Sequence, residues 1–146
     1  MSGADSPEIL AAYDAVRSDK DDTNWLLVSY VKGARSQLAL SKTGSGGLAE
    51  LANELRDDEV QYAYTRVEYA NDAESKRIKF VVIVWIGSGA PVMRKARAGI
   101  ERGAVKKVLA HHSIEVDAGD KSDIDEAEIV KLLRKAGGAD YNGGRG

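Results

Sequence analysis

The stretch VVIVWIGSGAPVMRKARAG, residues 81–99, decides the fold. Its first six residues are apolar without alternation, which marks a strand covered on both faces rather than one half open to water. Gly87-Ser88-Gly89 then breaks the chain, and Pro91 stands where a helix takes its first turn. A basic segment follows. A buried strand feeding a helix requires a sheet with helices packed on both sides.

The same order of strand, glycine loop and helix builds dinucleotide-binding loops, so that chemistry needs testing first. The fingerprint requires G-x-G-x-x-G, but here Gly87 and Gly89 are followed by Val92. Pro91 also removes one amide that would hold a phosphate, and no early βαβ unit surrounds the loop. A flexible strand-to-helix turn with proline at the helix start accounts for the residues better. KTGSGG, residues 42–47, lacks the order of a phosphate-binding P-loop. The only histidines, His111 and His112, are neighbours that point different ways and suit a helix C-terminus better than a metal. Asp117, Asp120, Asp123 and Asp125 miss the calcium-loop spacing. No catalytic constellation stands out, so neither enzymatic activity nor a cofactor nor a metal is expected.

Working outward, Ser6-Pro7-Glu8 reads as a capped helix start running to about Arg17. Strands follow at 24–32 and 36–41, joined through Gly33-Ala34, and a short helix at 48–55. Val60, Tyr62 and Tyr64 alternate, and Val67 and Tyr69 resume out of phase, which suggests a strand with a bulge. A loop around Asn71-Asp72 leads to the strand at 79–86. The long helix, 91–111, carries two apolar clusters. At about 100° per residue, Val92, Met93, Ala96 and Ile100 group together, while Ala104, Val105, Val108 and Leu109 lie more than about 100° away. Gly99 and Gly103 fall between them, so a bend or a change of packing near these glycines is expected. A short strand at 114–116 follows. Ser122-x-x-Asp125 resembles a capping box, opening a last helix that ends at Gly137-Gly138. The order α-β-β-α-β-β-α-β-α is α+β. It gives one mixed sheet of five to six strands, one domain over residues 1–136 and a flexible tail over 137–146.

The chain has 146 residues, no cysteine and a net charge of −2. Its longest apolar run, Phe80 to Ile86, has seven residues, too few to span a membrane, and MSGADSPEIL carries no signal-peptide pattern, so a cytoplasmic protein is expected. The charges are segregated. Residues 76–107 hold nine bases and one acid, whereas residues 113–128 hold seven acids and one base. Such a basic middle suits an acidic partner surface.

Three segments resemble the coactosins, members of the actin-depolymerising-factor homology family. SKRIKFVVIVWIG (75–87) resembles their S-K-R-x-K-F…W-I-G core. APVMRKARAG (90–99) resembles the start of the family's long helix, and LLRKAGGADY (132–141) the Lys-Lys-Ala-Gly-Gly-Ala-Asn-Tyr signature. AAYDAVRSD (11–19) and the strand at Trp25 also fit. The resemblance implies a mixed sheet between two pairs of helices and a non-enzymatic, monomeric protein of the cytoplasm and cytoskeleton. It would bind actin filament sides and oppose barbed-end capping, with no nucleic-acid partner. On that resemblance Met93, Arg94, Lys95 and Arg97 form the contact on the long helix, Lys76 and Lys79 a basic strand and turn, and Arg134 and Lys135 the basic end of the last helix. Arg134 stands where lysine is usual, which keeps the charge but changes its geometry. Ser2-Gly3 resembles the phosphorylated start of severing members. Monomer binding with severing, or binding of anionic lipids such as phosphoinositides by the same basic face, are the alternatives.

Overall fold

The computed structural model describes residues 3–34, 37–70 and 76–142, with side chains to residue 136. The elements are α1 (Pro7–Arg17), β1 (Trp25–Tyr30), β2 (Leu38–Gly44), α2 (Gly47–Ala52), β3 (Val60–Ala70), β4 (Lys76–Ile86), α3 (Val92–Val108), β5 (Ile114–Ala118), a 3-10 turn (Lys121–Ile124) and α4 (Glu126–Asn142). The order matches the sequence expectation element for element. Ser6 caps α1, its side chain accepting from the Ile9 amide, with Pro7 in the first turn.

The strands form one sheet in the order β2-β1-β3-β4-β5. Only β4 and β5 pair in parallel, with Val81 opposite Ile114 and Trp85 opposite Ala118. Parallel neighbours need a crossover, and α3 supplies it. The two faces of the sheet carry separate cores. Tyr62, Tyr64, Phe80, Val82 and Val84 pack against α1 and against Ala98, Val105 and Leu109 of α3. Ala63, Val67, Val81, Ile83 and Trp85 pack against Leu48 and Leu51 of α2 and Ile129 and Leu133 of α4. Six successive residues of β4, Phe80 to Trp85, are buried, as their unbroken apolar run requires.

The expected bulge in β3 is absent. Its register against β4 is continuous from Val60–Ile86 to Ala70–Lys76. The apolar pattern changes phase because the buried face changes, not because the backbone slips. Tyr62 and Tyr64 belong to one core and Ala63 and Val67 to the other, while Arg66 closes the first face with its guanidinium 5.9 Å from the Phe80 ring centroid. The register irregularity lies instead between β1 and β2, at Leu27/Val28. Gly33, with φ +83°, takes the left-handed conformation that the turn between those strands needs.

Helix boundaries also differ from expectation: α2 ends at Ala52 rather than at 55, and α3 at Val108 rather than at 111. The capping box is Asp120 with Asp123, and it opens the 3-10 turn rather than α4. Asp120 competes successfully because its carboxylate also accepts from the Ser122 hydroxyl at 2.9 Å. The last helix does not stop at Gly137-Gly138 but continues to Asn142. Glycine in a helix costs about 1 kcal/mol and does not forbid it. Of the proposed tail, residues 143–146 lie outside the described residues, as do the loop at Asn71-Asp72 and Ser2.

The glycine loop after β4 is held from within. The Gly87 amide donates to the Glu59 carbonyl at 2.9 Å, and the Gly89 amide to the Asp57 carbonyl at 2.8 Å. The Trp85 indole donates to the Arg56 carbonyl at 2.7 Å. These bonds staple the strand end to the 56–59 segment and engage the amides that a phosphate would need. A Cβ on Gly87 would stand 2.2 Å from the Asp57 oxygen, and one on Gly89 3.3 Å from it. Gly87→Ala is therefore expected to lower unfolding free energy by about 1–3 kcal/mol in urea titration, and Gly89→Ala by less.

Candidate functional site

The candidate site is built on α3, and the way α3 is held determines what it presents. Its buried residues are few: Ala98, Val105 and, just past its end, Leu109. Between them Glu101 reaches into the sheet side and accepts from the Tyr30 hydroxyl, which lies 2.8 Å from the Tyr62 hydroxyl. Burial first, then the hydrogen bonds to Glu101 and Tyr62, push the Tyr30 hydroxyl well above the usual tyrosine range. At the other end, Arg102 donates to Glu115 at 2.7 Å and pairs with Asp117, and Lys106 reaches Glu115 at 3.0 Å. Burial pushes the Glu115 carboxyl up, but the bonds from Arg102 and Lys106 outweigh it and hold the group below its ordinary value. The C-terminal end is closed by His112, whose Nδ1 lies 2.7 Å from the Leu109 carbonyl oxygen.

This anchoring resolves the conflict between the two apolar clusters. Only the second, through Val105, Val108 and Leu109, packs on the core. The first is left in solvent: Val92 is 79% exposed, Met93 73% and Ile100 82%. Helix α3 runs continuously from Val92 to Val108, and the expected change of packing reconciles the clusters, one buried and the other exposed. Gly99 and Gly103 sit on its outer side with open space around them. The exposed row Val92, Ala96, Ile100 follows i, i+4 spacing along one helix face. Scattered exposed apolar residues are ordinary, but a contiguous row framed by charge marks an interaction surface.

Charge frames this row on both flanks, Lys95 on one and Arg97 and Arg94 on the other. Arg94 lies over the Tyr30 ring at 4.0 Å, a cation–π contact that fixes the start of α3 against β1. Lys95 Nζ donates to the Ser88 carbonyl at 3.1 Å, an exposed bond that a partner can displace. Arg97 Nη1 is 3.5 Å from Glu101. With Met93 these residues occupy the first turns of one helix, so the structure brings that half of the expected site together.

The other half lies elsewhere. Lys76 and Lys79 stand at the start of β4, and α3 begins only after its far end. Lys79 and Ile86 are seven strand steps apart, which is roughly 23 Å at about 3.3 Å per residue. Arg134 joins this second group. Its Nη2 donates to the Ala70 carbonyl at 2.7 Å, and Ala70 is the register partner of Lys76. Its guanidinium also lies 5.6 Å from the Tyr69 ring centroid. Lys79 shares the α4 face of the strand with Val81, and Lys135 is exposed on α4. Among the described residues no acid pairs with Lys76, Lys79 or Lys135. Exposed Ile78 lies between the two lysines. The expected residues thus divide between the start of α3 and the far end of β4, and in the second group strand alternation turns Lys76 and Lys79 to opposite faces of the sheet.

Val92, Ala96 and Ile100 are the site candidates that the sequence reading left out. The signal was present as two clusters that one surface cannot bury, and exposure rather than a bend explains it. Among the described residues no group of acids and histidines could hold a metal ion, and no helix is long and apolar enough to cross a membrane.

Two measurements check this division of α3. Leu109→Ala is expected to cost about 2–5 kcal/mol in chemical denaturation, and Ile100→Ser to stay within about 0.5 kcal/mol of the unaltered chain. The second concerns acid. Glu115 titrates below its ordinary 4.5 when folded. Its contribution is therefore fully present above the unfolded value and is lost as pH falls through the folded one. Thermal melts should fall as the pH drops below the ordinary carboxylate value, and Glu115→Gln should flatten that part of the profile.

Residues 2–134 match the family described as cofilin/tropomyosin-type actin-binding proteins. Coactosin of Dictyostelium discoideum is 41% identical over 146 residues, covering 99% of this chain and 98% of its own. The crystal structure of coactosin from Entamoeba histolytica superposes with a TM-score of 0.81 at 34% identity, over 93% of this chain and 98% of that one. The solution structure of mouse coactosin, described as an actin filament binding protein, gives 0.72 at 29% identity over 93% and 92%. With its five-stranded mixed sheet and helices on both faces, this chain belongs to the cofilin/tropomyosin-type family of actin-binding proteins and is of the coactosin type.

Proposed function

We propose that this chain binds the sides of actin filaments and works by binding rather than by catalysis, at the cytoskeleton in the cytoplasm, with residues 1–136 as the functional unit. The observation that carries the reading is the exposed apolar row of α3 beside Arg94, Lys95 and Arg97. Val92, Met93, Ala96 and Ile100 supply the surface removed from water, which is where affinity originates. Lys95 and Arg97 supply register and association rate against an acidic partner, beside Arg94 held on the Tyr30 ring. The second group, Lys76, Lys79, Arg134 and Lys135, lies toward the other end of β4. A filament offers two adjacent subunits to one bound molecule, and two separated groups suit such a bridging contact better than a lone monomer. Opposition to capping at the barbed end is the further activity that the coactosin resemblance implies.

Co-sedimentation with actin filaments at low and moderate salt tests the proposal. Saturable pelleting that weakens with salt is expected, because both groups are solvent-exposed charge. Lys79→Glu and Lys95→Glu should each weaken binding on the order of tenfold while leaving the melting temperature near that of the unaltered chain. Equal pelleting by both variants would remove the assigned surface. Tighter binding to monomeric actin than to filaments would favour a severing or monomer-binding role. The unpaired lysines of the second group also suit an anionic lipid headgroup. Flotation with phosphoinositide vesicles, lost in Lys76→Glu but kept in Lys95→Glu, would support that use.

A further inference from the structure

Met93 is one of two methionines in a chain without cysteine. The other, Met1, lies outside the described residues. Met93 stands in the first turn of α3, where its thioether is open to solvent. Trp25 and Trp85, the other oxidisable side chains of note, are fully buried. The chain thus offers a peroxide no thiol and, among its described residues, one accessible sulfur, and that sulfur sits inside the apolar row assigned above to filament docking. Its neighbours sharpen the consequence. Met93 lines a cleft together with Gly33, Ala34, Pro91, Arg94 and Arg97, so two guanidinium groups border the same space.

We propose that Met93 is an oxidation site, at which a peroxide converts the thioether to the sulfoxide and thereby weakens the docking face. The proposal rests on the filament-binding reading of that face. A sulfur lone pair attacks one peroxide oxygen, the S–O bond forms as the O–O bond breaks, and the proton of the transferred oxygen passes to the leaving oxygen. With hydrogen peroxide the leaving group departs as water. Sulfur gives up two electrons, and the peroxide takes them up. The product replaces a flexible apolar group by a polar one with a strong acceptor oxygen. Docked against an apolar surface, that oxygen must stay unsatisfied or be left hydrated, and either weakens the contact. In the free protein it shares the cleft with Arg97, whose donors would then answer the sulfoxide instead of the partner's acids. The fold is indifferent, because Met93 contributes nothing to either core.

The experiment oxidises the purified chain with hydrogen peroxide and removes the excess with catalase before actin filaments are added, so that actin itself is untouched. Peptide mass spectrometry reads oxygen addition at Met93 and at Met1 separately. Filament affinity is expected to fall on the order of tenfold, with an unchanged thermal melt and recovery after methionine sulfoxide reductase treatment. Met93→Leu keeps the apolar character without the sulfur, and its own treated-to-untreated affinity ratio should be near one. Equal pelleting of treated and untreated protein, with Met93 shown to be oxidised, would overturn the inference and leave the filament reading standing. So would a peroxide effect of equal size in Met93→Leu, or a Met93 that stays unoxidised. Untreated protein that fails to pellet at all would remove the filament reading and this inference together.

Discussion

Burial of β4 on both faces is the constraint from which the rest of the architecture follows. Phe80 to Trp85 has no solvent side, so each face of the sheet must be covered by helices. The parallel pairing of β4 with β5 then requires a connection long enough to cross one face and return, and α3 with its flanking turns is that connection. Its position over the β1–β3–β4 surface is thus set by topology before any side chain on its outer side is considered. The glycine loop serves the same end. Gly87 passes so close to the Asp57 carbonyl that no side chain fits, and the Trp85 indole clamps the adjoining strand to Arg56.

The crossover helix is held by a narrow set of contacts, and that economy creates the site. Ala98, Val105 and Leu109 supply the apolar anchors, and the Tyr30–Glu101 and Arg102–Glu115 contacts supply the polar ones. Each polar anchor is only partly buried, so it orients the helix more than it stabilises the fold. A helix fastened along one stripe shows the rest of its circumference to solvent. Here the shown side includes Val92, Met93, Ala96 and Ile100, with Gly99 and Gly103 leaving backbone open to close approach. Burying that row within the chain would have stabilised the monomer, and its exposure is the feature that a partner surface explains.

The basic residues differ in how free they are, which the charge pattern alone does not reveal. Arg102 and Lys106 belong to the segment with nine bases, yet both are engaged by Glu115 in holding α3 to β5. Arg94 is committed to the Tyr30 ring. Lys95 holds only an exposed carbonyl, and Lys76, Lys79 and Lys135 have no acidic partner among the described residues. A basic segment on the page therefore separates into structural cations and available ones, and the available ones divide between the start of α3 and the far end of β4.

Local pattern by itself determined the element order, the doubly covered strand, the capped start of α1 and the glycine turn into α3, because each depends on residues adjacent in sequence. Resemblance in the segments around Trp85, Pro91 and Leu132 carried the family. Tertiary structure decided what no local window contains. The phase change in β3 is an exchange of buried faces, visible only once Tyr62 and Val67 are seen to join different cores. The two clusters of α3 look equally apolar in sequence, and only the sheet beneath determines which one is buried. Lys79 and Lys95 sit in one short basic segment, but the extended strand between them carries them to opposite ends of the molecule. Periodicity reports that a face is apolar, but whether that face is core or interface depends on what the rest of the chain places against it.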